Sequence, residues 1–168
     1  MARHPRWVRR GLGAADLDRV TAAVRRAEAG TGAEIRVHLD ARCAGDPTAR
    51  AVAVFERLGM TRTAERSGVL VYLALEDRKL AVIGDAGVHA RVAEEYWPRL
   101  AAVLADHCRA GRPADGIVAV VDELGSLLAR HFPRRPDDRN ELDDDVSLGC
   151  ASLTGSPPSA SLWLRGLR

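Results

Sequence analysis

Carboxylates that follow strand-like runs are the residues of this 168-residue chain whose type and place best suit chemistry. Asp85 stands in Gly84-Asp85-Ala86-Gly87, directly after an apolar run, where flanking glycines let the backbone turn sharply and project a side chain over the end of a sheet. Asp46 precedes Pro47 between a strand-like run and a helical one, and Glu94 and Glu95 open a later helix. Carboxylates gathered at one sheet edge supply the oxygen ligands that calcium or magnesium takes, and the ion offsets their mutual repulsion. Taken singly, the same residues have plainer uses. Asp46 and Glu94 suit helix N-termini, and Asp85 suits an Asx turn.

Other motifs carry less. Cys43 to Arg50 lies between a strand and a helix, where thiol phosphatases cradle phosphate, but its spacing is one residue too long and a reactive thiol also needs a lowered pKa. An incidental Cys43 is the favoured reading. The string GLGAAD lacks the preceding strand and the third glycine of a dinucleotide fingerprint. There is no Gly-x-Ser-x-Gly elbow and no Walker loop. His38, His89, His107 and His131 show no metal-ligand spacing and are expected to be partly exposed. DAGVHARVAEE lacks the intervening ligands of an EF-hand, and Asp143-Asp144-Asp145 reads as a solvated face.

The elements that must position these residues follow from periodicity. Leu17, Val20, Ala23, Val24 and Ala27 recur at helical spacing over 14–29 until Gly30 and Gly32 stop the pattern. Ile35, Val37 and Leu39 alternate with Glu34, Arg36 and His38, which predicts a strand with one covered face. Asp46 as N-cap, Pro47 in the first turn and Gly59 beyond the end bracket a helix through ARAVAVFERLG. SGVLVYLALEDRKLAVIGDAG reads as a fully buried strand, a Glu76-Asp77-Arg78 turn and a second strand. Amphipathic helices follow over about 94–109 and 113–131, with Trp97 as a core anchor. The order strand, helix, strand, hairpin predicts an α/β fold: a three-layer α-β-α sandwich with a small mixed sheet, a right-handed β-α-β crossover, a β-hairpin and helices on both faces.

Composition bounds the rest. A 46% apolar content over 168 residues builds one conventional core, expected over 14–149 between a flexible basic start, 1–13, and a disordered tail, 150–168. Within that span, an acidic segment from Pro133 to about Gly149 is expected to be docked or extended. Twenty-five basic and 23 acidic side chains leave +2, too little for binding a nucleic-acid backbone. Cys43, Cys108 and Cys150 form no paired spacing, which points to a reducing, cytoplasmic setting. The longest apolar run falls far short of the roughly 20 residues that cross a bilayer. A monomer is expected, with room for a protein partner.

AEAGTGAEIRVHLD, FERLGMTRTAERSGVLVYLALEDRKLAVIGDAG, EEYWPRL and the stretch from Phe132 to Leu142, taken in order, resemble the TPM domain family, and most of all its short bacterial stand-alone subgroup. The resemblance implies a sheet with helices on both faces and an acidic cleft at the sheet edge that binds a divalent cation, calcium or magnesium. It also implies acid phosphatase activity in some members. Carried over by position, it assigns the cleft to Asp46 and Asp85, with Glu94 or Glu95 beside them. Two functions follow as expectations: a non-catalytic cation-binding or adaptor domain, or a metal-dependent phosphatase acting on phosphate monoesters.

Overall fold

The computed structural model describes residues 5–140 and 144–149. Helix α1 (Arg6–Gly11) lies within the segment expected to be flexible; it buries Val8, and Leu12 follows it into the core. Helix α2 (Ala14–Glu28) turns Leu17, Val20, Ala23, Val24 and Ala27 inward, as their spacing requires. Strand β1 (Glu34–Asp40) leads into α3 (Pro47–Arg57), whose first turn is closed by Asp46 accepting from the Ala49 N–H at 2.9 Å. Gly59, at φ 70°, ends that helix in the left-handed region. Strands β2 (Gly68–Ala74) and β3 (Lys79–Gly84) form the hairpin, and α4 (Ala86–His89), α5 (Tyr96–Arg109) and α6 (Pro113–His131) follow. Glu94 and Glu95 thus stand just ahead of α5 rather than inside it.

The sheet is mixed, with order β3-β2-β1-β4. Strands β1 and β2 are parallel from Glu34↔Gly68 to Asp40↔Ala74, and β3 runs back along β2 from Ala74↔Lys79 to Val69↔Gly84. The fourth strand, β4 (Ser147–Leu148), comes from the acidic segment and pairs in parallel with His38 and Leu39. One face carries Ile35, Val37, Leu39, Val69, Val71 and Leu73 against α2, α5 and α6, with Trp97 2% exposed. The other carries Leu70, Tyr72, Ala81 and Ile83 against Val52 and Phe55 of α3 and Met60. These two cores are the layers that the pattern predicts.

Strand β1 departs from its expected one-sided burial. Glu34 is 4% exposed, His38 0% and Asp40 1%, so all the polar alternate residues except half-buried Arg36 are as deep as the apolar ones. The reason is position: β1 is an interior strand, with β2 on one side and the chain from Asp144 to Gly149 on the other.

The Gly84-Asp85-Ala86-Gly87 turn is tightly boxed. A β-carbon on Gly87 would press on the backbone oxygens of Glu65 and Arg66, the latter at 2.7 Å, and neither can move aside as a side chain end would. Gly87→Ala is therefore expected to lower the unfolding free energy by about 2–3 kcal/mol, measured by urea denaturation.

Candidate functional site

The sheet register separates the carboxylates that the sequence places together. Because β3 runs antiparallel, its end at Gly84 lies beside the beginnings of β1 and β2, so Asp85 belongs to that end. Asp46 lies at the other, where Lys79 Nζ donates to the carbonyls of Cys43 and Gly45 at 2.8 and 2.9 Å. The seven-residue length of β1, about 20 Å, stands between them. Glu94 and Glu95 are exposed at the Asp85 end. Glu94 and Asp85 act electrostatically on His89, whose pKa is lowered by burial despite their opposing pull. One ion does not span Asp46 and Asp85.

Asp85 already has a cation. It is fully buried, and Arg66 donates to both its oxygens in a two-pronged pair, Nε to Oδ2 and Nη2 to Oδ1, each at 2.7 Å. The Ala86 N–H adds a third bond at 2.6 Å. Asp46 is exposed and serves as the cap of α3. The Cys43 loop is no phosphate cradle either: its carbonyls face Lys79, and Arg50 turns to Asp40, with Nε to Oδ2 at 2.7 Å.

Asp40 anchors a buried network that the sequence did not suggest. Tyr72 donates to its Oδ2 at 2.9 Å, and His38 Nε2 lies 3.2 Å from its Oδ1. His38, expected to be partly exposed, is fully buried because its Nδ1 meets Ser147 Oγ of β4 at 2.5 Å. Burial alone would raise the Asp40 pKa, but hydrogen bonds from His38, Arg50 and Tyr72 outweigh it and hold the group well below the usual carboxylate range.

A different set of carboxylates meets at the start of β1. The turn from α2 into β1 is knitted to the chain after α6: Thr31 Oγ1 donates to Phe132 O at 2.6 Å, Thr31 bridges Pro133, and Gly32 N–H donates to Phe132 O. Gly32 leaves room for Asp138, whose Oδ2 would stand 2.7 Å from a β-carbon there. The result is a pocket of about 240 Å³ lined by Glu28, Glu34, Asp138, Asn140 and Asp144, with Arg25, Arg134 and Arg139 among the cationic residues around it.

Glu28 is the unusual member. It is 8% exposed; Oε1 accepts from the Ile35 N–H at 2.7 Å, while buried Oε2 receives no hydrogen bond among the described residues. Burial, then the adjoining Asp144 carboxylate, push its pKa up to about 9 against the pull of the Ile35 N–H, and the charge of Glu34 adds to the rise. Two carboxylates in contact need a proton or a cation between them. Asp144, expected on a solvated face, is turned inward with its side chain 18% exposed, and Arg25 approaches it at 3.7 Å. Among the described residues, no group of three or more His, Cys, Asp or Glu side chains is arranged to enclose a metal ion.

The comparison with the family covers one wall of this pocket, the end of α2 and the start of β1, while the wall from Arg134 onward lies beyond the matched residues. The TPM domain pattern matches residues 10–127. This chain belongs to the TPM domain family. Its fold superposes on the solution structure of the BA42 protein from the psychrophilic bacterium Bizionia argentinensis with a TM-score of 0.76 and 34% identity, over 82% of this chain and 95% of that one. The N-terminal domain of the cg2496 protein from Corynebacterium glutamicum shares the fold at a TM-score of 0.57 and 15% identity, over 76% of this chain and 86% of that one. No curated protein matches the chain.

In this TPM domain, the raised pKa of Glu28 sets a testable pH dependence. Folding favours the protonated group, so its favourable contribution is complete below the ordinary glutamate value and is lost as pH rises from there through about 9. In metal-free buffer, stability is expected to fall between pH 5 and pH 9, a window of roughly four units. Glu28→Gln, which keeps the shape and removes the charge, is expected to flatten that slope and raise stability at pH 8 by ~1 kcal/mol or more, measured by denaturation at a series of pH values.

Proposed function

We propose that this TPM domain binds a hydrated divalent cation, magnesium in preference to calcium, between Glu28 and Asp144, and that it acts as a non-catalytic cation-responsive domain toward a protein partner. The observation that carries the reading is Glu28 Oε2, buried without a donor among the described residues and set against a second carboxylate. A cation there takes the place of a proton on Glu28 and draws on the lone pairs that Asn140 and Arg25 leave free on Asp144. Magnesium suits a site with few protein ligands, because it keeps several waters and binds through one or two carboxylates, whereas calcium takes about 6–8 oxygens. The pocket volume of about 240 Å³ leaves space for that water, and Asn140 and Asp138 on its wall offer acceptors to it.

Magnesium at a hundredfold excess over its Kd is expected to raise the Tm by about 5–10 °C at pH 8. The shift disappears in Glu28→Gln and in Asp144→Asn and survives in Asp46→Asn and Glu94→Gln. A Tm indifferent to magnesium and calcium, or a shift that Glu28→Gln retains, overturns the assignment.

The arginines beside the pocket, Arg25, Arg134 and Arg139, favour a second reading, in which a phosphate monoester is drawn to the same cation and hydrolysed by its bound water. Turnover of p-nitrophenyl phosphate that both a chelator and Glu28→Gln abolish would support it. Cation binding without turnover supports the first.

A further inference from the structure

A second cavity lies at the opposite end of the sheet and owes nothing to the acidic pocket. It is a groove of about 500 Å³ beneath the β2–β3 hairpin, walled by Leu73, Leu75 and Leu80 on one side and by Ala105 and Cys108 of α5 on the other. That volume falls in the range of small-molecule sites, roughly 300–1,000 Å³. It lies at the carboxyl end of β2, and open α/β sheets hold ligands outside the carboxyl ends of their strands. Leu75, Leu80 and Cys108 are only half-buried although they pack against the core, so the groove presents apolar surface that no described part of the chain covers.

The charges at its mouth select the occupant. Lys79 is turned away, its ammonium held by the carbonyls of Cys43 and Gly45. Arg109 pairs with Asp106 at 2.7 Å. Arg78 lines the groove, is exposed, and its guanidinium has neither an ion pair nor a hydrogen bond among the described residues. Its backbone also holds φ 54°, a conformation that a glycine would adopt more easily than an arginine. An apolar groove with an unpaired guanidinium on its wall matches a molecule with an unbranched apolar chain and one anionic head.

We propose that this groove binds a free medium-chain fatty carboxylate, with the alkyl chain along Leu73, Leu75 and Leu80 and the carboxylate on Arg78. Calorimetry of the full chain with hexanoate, octanoate and decanoate is expected to show one saturable site whose affinity rises about fourfold per methylene. Arg78→Gly, which the positive φ accommodates, weakens decanoate about tenfold and leaves 1-decanol unchanged. Ala105→Phe, which fills the slot, removes both. Absence of saturable decanoate binding, or binding that either substitution leaves unaltered, overturns the proposal. So does self-association of the full chain that Leu80→Arg disperses, without uptake of decanoate, since the face then covers a second copy.

Discussion

The structure depends on one constraint: the interior strand β1 carries polar and charged side chains on a face that is largely buried. Glu34, Arg36, His38 and Asp40 alternate along it, and three of these are at most 4% exposed. A buried charge without a partner costs several kcal/mol, so each must be answered from elsewhere in the chain. Asp40 is answered by Arg50, Tyr72 and His38, and His38 by Ser147. The position of α3, the docking of β4 and the fold of the segment after α6 are all tied to that strand. Apolar packing builds the two cores, while the polar face of β1 decides what borders them.

The same constraint separates the two ends of the sheet in character. At the Asp85 end the demands of buried carboxylates are met unequally. Asp85 is matched by a two-pronged arginine and the Ala86 N–H, whereas Glu28 faces Asp144 and its Oε2 receives no donor among the described residues. Acidic residues near a sheet edge are therefore not equivalent candidates for binding. What distinguishes them is the residue that occupies their lone pairs, and that is a property of tertiary structure.

This explains how far the sequence could be read. Period-two and helical patterns gave β1, the hairpin, α2, α3 and α6 with boundaries within a residue or so, because those patterns record local burial. The hairpin itself implies that the end of β3 returns to the start of β2, which already separates Asp85 from Asp46. The pocket was harder to read because its members are brought together from distant parts of the chain: Asp144 reaches α2, and Ser147 reaches His38 across 109 positions. The segment that supplies them has little apolar periodicity, so nothing local marks it as structural. The available signal was Glu28, a carboxylate on the last turn of α2 beside its apolar stripe, where the helix dipole disfavours negative charge.

The place of β4 in the chain also bears on biosynthesis. Translation is vectorial, and β1 emerges long before the residues that complete its polar face. During that interval His38 and the Glu28 pocket lack Ser147 and Asp144, so water must hydrate what the finished protein encloses. Strand β1 can pair with β2 and lay its apolar face on α2 early, and Arg50 and Tyr72 can reach Asp40, but its outer edge at His38 closes only when 144–149 arrive. The order of synthesis thus means that the acidic pocket cannot be completed before Asp144 has been made.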